Sequence, residues 1–264
     1  MALALGFLLG AVIGYLAFRA GALSPSGAWT AALTGGLIFG LGGIHWAVLL
    51  LTFFVSSSGL SHAFAARKAV LSEKFSKSSR RDWEQVFANG GLGALMAVAH
   101  ALFPQQTWPW LVFAGAMAAV NADTWATELG VLSPVPPRLI SSWKIVEHGT
   151  SGGITFLGTL SALSGAFVIG LLAAAFGGSG NFVVVLGITT LAGLVGALCD
   201  SLLGATAQAI YYCPHCQKET ERHPWHTCGT ETAQIRGWGW LNNDMVNFTC
   251  SLVGGMVVVI LFGM

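Results

Sequence analysis

Four carboxylates, Asp123, Glu128, Asp200 and Asp244, stand in otherwise apolar sequence, and their setting says what chemistry they could do. A charge near the centre of a bilayer costs roughly 2.5 to 3.5 kcal/mol by insertion scales, so a chain that keeps several must compensate them or use them. Each has polar company: Asn121 and Thr124 beside Asp123, Thr127 beside Glu128, Ser201, Thr206 and Gln208 after Asp200, and Asn242, Asn243 and Asn247 around Asp244. Oxygen-rich clusters of this kind suit a hard cation such as Mg²⁺. Asp123, Asp200 and Asp244 are therefore candidate magnesium ligands, and with Glu128 they are the candidate catalytic acids. The competing readings are structural. Asp123 or Glu128 could be hydrogen-bonded to Trp125 or to serines of another helix, Asp200 could stabilise helix packing, and Asn242 or Asn243 fits a helix N-cap.

The elements that must hold these residues are membrane helices. The chain has 264 residues, of which 54% are hydrophobic and 9% charged, with a mean hydropathy of +0.70, a composition of polytopic membrane proteins that excludes soluble folds. Its net charge of +1 gives no basic face for nucleic acid. Apolar runs long enough to cross a core of about 30 Å lie near 1–18, 85–103, 109–130, 151–176, 182–205 and 241–262. The stretch 28–62 is too long for one pass and carries Gly40, Gly42, Gly43 and His45 at its middle, so it reads as two helices with a turn. The Gly6, Gly10, Gly14 stripe makes the first run a retained packing helix rather than a cleaved signal. The expected fold is all-α: a single transmembrane domain over 1–264, about eight helices, with a cytoplasmic zinc-binding loop at 211–240 between the last two.

With eight spans, all twelve Lys and Arg residues fall in the loops after the first, third, fifth and seventh, which the positive-inside rule places in the cytoplasm. The same end receives Asn89, Asp123 and Glu128, the start of the sixth helix, Asp200, and Asn243 with Asp244. Carboxylates ringed by basic loops at a membrane face are what a phosphorylated amphiphile and a metal would need. Gly149-Thr150-Ser151-Gly152-Gly153, at the entry of the sixth helix and preceded by Arg138, Lys144 and His148, offers backbone N–H groups to phosphate. Its spacing is not a P-loop, and a glycine-rich turn at a membrane boundary is the plain alternative. The cations of 64–84, among them Arg67, Lys68, Arg80 and Arg81, could engage lipid or nucleotide phosphates, while Lys74 and Lys77 read as ordinary positive-inside charge.

The loop 211–240 holds Cys213 and Cys216 at x2 spacing, then His226 and Cys228, which matches a closed Cys₃His zinc site. His223 competes for the fourth position and His215 is poorly placed within the knuckle. A disulfide does not suit a cytoplasmic face, and a redox pair would not need His226 and Cys228. Zinc would staple a loop too small for a core of its own.

Taken in order, these segments resemble the phytyl-phosphate kinase family of integral membrane proteins, domain-of-unknown-function family 92, which includes transmembrane protein 19. The matching pieces are Arg81-Asp82-Trp83 with Gln85, Val86 and Asn89-Gly90-Gly91; Ala122 to Gly130; Pro137 to Ile140; Gly149 to Gly153; Asp200-Ser201 through Gln208; and Asn243-Asp244 with Asn247. They cover most of the chain from about residue 56 onward, and the first span carries no such mark. The resemblance implies phosphoryl transfer from a nucleoside triphosphate to an isoprenoid monophosphate such as phytyl phosphate, as in tocopherol formation. A looser similarity to CTP-using polyisoprenol kinases makes CTP a candidate donor. On this reading Arg81, Asn89, Asn121, Thr124, Arg138, Lys144, the 149–153 loop, Asn243 and Asn247 bind substrate or nucleotide. The partners are then an isoprenoid phosphate, a nucleoside triphosphate and membrane lipids, and a homo-oligomer stays open. An ion-coupled secondary transporter using the same carboxylates is the alternative, with a non-catalytic assembly protein third.

Overall fold

The computed structural model describes residues 2–65, 74, 77, 80–177 and 181–263. Among the described residues eight α-helices form a bundle: α1 (Ala2–Arg19), α2 (Pro25–Gly42), α3 (Ile44–Ala63), α4 (Trp83–Leu102), α5 (Trp108–Gly130), α6 (Phe156–Phe176), α7 (Phe182–Thr206) and α8 (Asn243–Phe262). The break between α2 and α3 falls at Gly43, whose φ of 81° lies in the region open to glycine, and whose amide caps α2 on the Phe39 carbonyl. The glycine stripe of α1 lies against α2, where a Cβ on Gly10 would stand 2.6 Å from the Ala32 carbonyl oxygen. Only a bare backbone allows that approach.

Helix α5 is the hub. It packs against α3, α4, α6, α7 and α8, and its run of Phe113, Ala114, Ala116, Met117, Ala118 and Ala119 is fully enclosed. Among the described residues six helices are long and apolar enough to cross a membrane: α1, α3, α4, α6, α7 and α8. The other two differ from the eight expected for physical reasons. Helix α5 carries its polar residues from Asn121 to Glu128, and the bundle, not lipid, surrounds it. Helix α2 is diluted by glycine and threonine and lies between α1 and α4.

The expectation of a purely helical chain needs one amendment, since short strands gather at one end of the bundle. Strands β1 (Arg138–Leu139) and β2 (Gly153–Ile154) pair antiparallel between α5 and α6. Between α7 and α8, β3 (Ile210–Cys213) is flanked by β4 (Lys218–Thr220) and β5 (Ala233–Arg236) in a three-stranded antiparallel sheet. These strands were not legible because each spans four residues or fewer and alternates no apolar face. At this end the loops after α1, α3, α5 and α7 touch one another. The Arg81 carbonyl accepts from Ser24 N at 2.9 Å, Lys74 Nζ reaches Glu147 at 2.8 Å, and Glu221 N donates to the Lys74 carbonyl at 2.8 Å. Arg236 donates to the carbonyl of Ala205 at the end of α7.

Candidate functional site

Helix α5 turns Asp123, Ala126 and Thr127 toward a cavity of about 150 Å³ at the loop end of the bundle. Helix α7 adds Asp200 and Ser201, the stretch 148–153 forms another wall, and Asn243 closes the side at the first turn of α8. The Asp123 and Asp200 carboxyls are in hydrogen-bond contact, and Asp200 Oδ2 is buried with no hydrogen-bond partner among the described residues. Two carboxyls this close share either a proton or a cation. The orphaned oxygen and the all-oxygen donors fit a hard divalent ion.

Glu221, which the sequence analysis did not single out, lines the same cavity and acts electrostatically on Asp200. It stands just past β4, and its Oε1 accepts from Gln208 Nε2 at 2.9 Å. Gln208 Oε1 in turn accepts from the Ser151 hydroxyl at 2.6 Å. One buried glutamine therefore ties the glycine-rich loop to the insertion between α7 and α8. Its partner could have been suspected only from Gln208 itself, a long amide at the end of an apolar helix.

The glycine-rich loop is placed differently from the expectation that it opens the sixth helix. Strand β2 intervenes, and α6 begins at Phe156 with Thr155 as its N-cap, so the positive end of that helix lies beyond the loop. Gly152 (φ 81°) is pressed onto α7, where a Cβ would come within 2.3 Å of Ala205 N. The loop is thus held by close backbone contact.

Other residues singled out in sequence lie elsewhere. Asp244 Oδ2 is 2.5 Å from Lys77 Nζ, which also meets Asp82 Oδ2 at 2.8 Å and Glu84 Oε2 at 2.5 Å. Burial opposes the Lys77 charge, but its hydrogen bonds to Asp244, Asp82 and Glu84 outweigh that and raise its pKa. Asp244 lines a separate opening, which Asn243 and Glu221 share with the carboxylate cavity. Glu128 Oε1 accepts from Ser61 at 2.5 Å and faces Arg81. Burial lowers the Arg81 pKa, and Glu128 acts against that.

Asn121 is a structural tie, accepting from Ser56 at 3.1 Å and donating to the Gly165 carbonyl at 2.8 Å. Trp125 also donates to Ser56, at 3.1 Å, and Thr124 turns back to the Val120 carbonyl. Arg138 donates to the Trp143 carbonyl on the exposed hairpin that also carries Lys144. Asn247 lies half-buried one turn into α8, and Asn89 faces a second cavity between α1 and α4. Asp82 and Gln85, part of the first matching motif, form a reciprocal capping box that starts α4. Arg67 and Lys68 lie outside the described residues.

In the insertion, Cys213, Cys216, His226 and Cys228 bring four donor atoms within 4.8 Å of one another, a group that could hold a metal ion. The Cys213 and Cys228 sulfurs are 3.6 Å apart, close to the edge of about 3.8 Å in a tetrahedron of zinc–sulfur bonds. All three cysteines are free thiols. His223 is not in the group; it stacks on Tyr211 with ring centres 4.5 Å apart.

Fold and site together define a multi-pass integral membrane protein with a carboxylate-lined cavity at one end of its bundle. The chain belongs to the integral membrane protein family DUF92, whose pattern it matches over residues 8–255. It is 33% identical over 233 residues to Protein PGR of Arabidopsis thaliana, covering 80% of this chain and 79% of that protein. It is 31% identical to the uncharacterized membrane protein MJ0933 of Methanocaldococcus jannaschii, over 91% and 86% of the two chains. It is 24% identical to the chloroplastic Protein VTE6 of Arabidopsis thaliana, over 90% of this chain and 65% of that one. No solved structure matches it.

Proposed function

We propose that the chain is a membrane-embedded kinase that transfers a phosphoryl group from a nucleoside triphosphate, CTP being the candidate donor, to an isoprenoid monophosphate such as phytyl phosphate. The observation that carries this reading is the contact between Asp123 and Asp200, with an orphaned Asp200 oxygen, in a cavity walled by the 148–153 loop. The family resemblance supplies the reaction class. All eight helices cross the bilayer in this reading, and the loop end with its cations faces the cytoplasm.

Asp123 and Asp200 would hold Mg²⁺, with Glu221 beside them; when bound, the ion neutralises charge on the triphosphate oxygens. A phosphate monoester is already an anionic nucleophile, so no side chain has to remove its proton. The remaining task is to hold two anions in line, which is positioning and charge compensation. Gly149 to Gly153 line the cavity, and the amides of Gly149, Ser151 and Gly152 would be the ones to contact phosphate, since those of Thr150 and Gly153 donate to the Glu147 and Thr150 carbonyls, with Asn243 orienting it from α8. Arg138 and Lys144, on the exposed hairpin, attract the polyanion toward the mouth. Asn121 ties α5 to α3 and α6 through Ser56 and the Gly165 carbonyl, and Asn247 would act one turn further along α8 from Asn243. Asp244 serves Lys77 and Glu128 serves Arg81, so neither belongs to the ion site on this account. The Cys₃His group would take zinc and fix the insertion that carries Glu221.

The test is direct. Purified protein in detergent, given Mg²⁺, a panel of nucleoside triphosphates and phytyl or geranylgeranyl monophosphate, should make the matching diphosphate. No product across the panel from folded protein would reject the kinase, and solute uptake into liposomes that depends on Asp123 would favour the transporter.

A further inference from the structure

A second cavity, of about 210 Å³, lies between α1, α2, α3 and α4 and shares no lining residue with the carboxylate cavity. Its walls are apolar, with Leu9, Ile13, Phe39, Leu50 and Phe54 among them. Its polar side chains are Thr34 of α2, whose hydroxyl donates to the Thr30 carbonyl of its own helix, and, toward the loop end, Arg81 just before α4 with Gln85 and Asn89 one and two turns in. Gln85 is committed to the capping box. The half-buried Asn89 amide makes no hydrogen bond among the described residues.

Arg81 has a second role. It also lines an opening of about 350 Å³ whose other polar residues are Ser58, Ser61 and His62, so its guanidinium stands where the apolar groove meets the loop face. The guanidinium lies over Phe53 and Phe54, 5.6 and 5.9 Å from their ring centres, and donates to Ser58 at 3.3 Å. An apolar slot with a fixed cation and hydroxyls at one end has the polarity of an anionic amphiphile. The aromatic rings and Glu128 keep the guanidinium from folding away, and His62 adds a second basic group at the head end.

We propose that this groove binds a single-tailed anionic amphiphile from the bilayer, its tail between α1 and α4 and its phosphate-type head at Arg81 and Ser58. In naming an isoprenoid monophosphate as that amphiphile, the proposal rests on the kinase reading; binding itself does not. Gly35 offers a clean way to fill the slot, because a Cβ there would meet only Leu50 Cδ2 at 3.9 Å.

Purified full chain, without nucleotide, is photolabelled with a long-chain alkyl phosphate carrying a diazirine on its tail, and the sites are mapped by mass spectrometry. Label is expected on α1 to α4 residues of the groove, competed by geranylgeranyl monophosphate and far less by the uncharged alcohol. Gly35→Leu should lower this labelling about tenfold or more by filling the slot, and Arg81→Gln should lower it by a similar factor by removing the charge partner. Asp200→Asn should leave it unchanged. Label spread evenly over all lipid-facing helices, or undiminished by Gly35→Leu, would overturn the proposal. Should Arg81→Gln fail to fold, Gly35→Leu and the alcohol competition still decide it. Failure of the kinase reading would show differently, as intact groove labelling with no diphosphate formed.

Discussion

Two acid clusters lie side by side at the loop end of the bundle, and they are compensated in different ways. Around Asp244 three carboxylates close on one ammonium, Lys77, which offsets one of their three charges, and Asp244 Oδ1 is buried with no hydrogen bond among the described residues. At Asp123 and Asp200 two carboxyls meet each other, and one Asp200 oxygen is buried with no hydrogen bond among the described residues. The first arrangement joins α8, the start of α4 and the segment before it around a cation of the chain itself, although Asp82, Glu84 and Asp244 also bring their oxygens within 4.8 Å of one another, close enough to hold a metal ion. The second has both its carboxyls on the wall of a cavity. Sequence alone ranked Asp244 with Asp123 and Asp200, because all three sit in similar polar company.

The comparison can be broken by substitution. Asp200→Asn, or Asp123→Asn, keeps shape and removes a donor charge, so turnover is expected to fall by about a thousandfold or more with folding retained, since electrostatic stabilisation dominates phosphoryl transfer. Asp244→Asn should act mainly on stability, by about 1 to 2 kcal/mol for a partly exposed cage that keeps Asp82 and Glu84. Its turnover should fall far less. Equal losses of turnover in the two variants, with equal folding, would erase the distinction and return Asp244 to the ion site.

The insertion sharpens the same contrast from a distance. Removing metal by chelation, or Cys213→Ser, is expected to loosen β3 and β4 and with them Glu221, lowering both the melting temperature and turnover. Elemental analysis should find one zinc per chain, absent in Cys213→Ser. At the small end, Glu147→Gln breaks only an exposed pair with Lys74, and its effect on unfolding free energy should stay within about 0.5 kcal/mol. Lys74 and His148 retain their other contacts there.

Much of the fold was legible because hydropathy and glycine punctuation are local signals. The eight helical runs, the break at Gly43 and the α1 stripe facing α2 all follow from residues adjacent in the chain. The Cys and His spacing likewise pointed to a set of side chains that the structure brings together. What could not be read is pairing through space. Nothing in the order of residues joins Glu221 to Asp200, Lys77 to Asp244, or Arg81 to Glu128, since each pair is set by how the insertion and loops fold back on the bundle. The glycine-rich loop was misplaced for the same reason: the β1–β2 pairing that separates it from α6 is made across the irregular chain of residues 140–152.

The most direct measurement counts a divalent ion at the Asp123 and Asp200 pair. Mn²⁺ binding, followed by electron paramagnetic resonance on purified zinc-loaded protein, is expected to show an ion bound to wild type, lost in Asp200→Asn and retained in Asp244→Asn. Binding that survives Asp200→Asn, or that disappears instead with Asp244→Asn in a folded chain, would contradict the account.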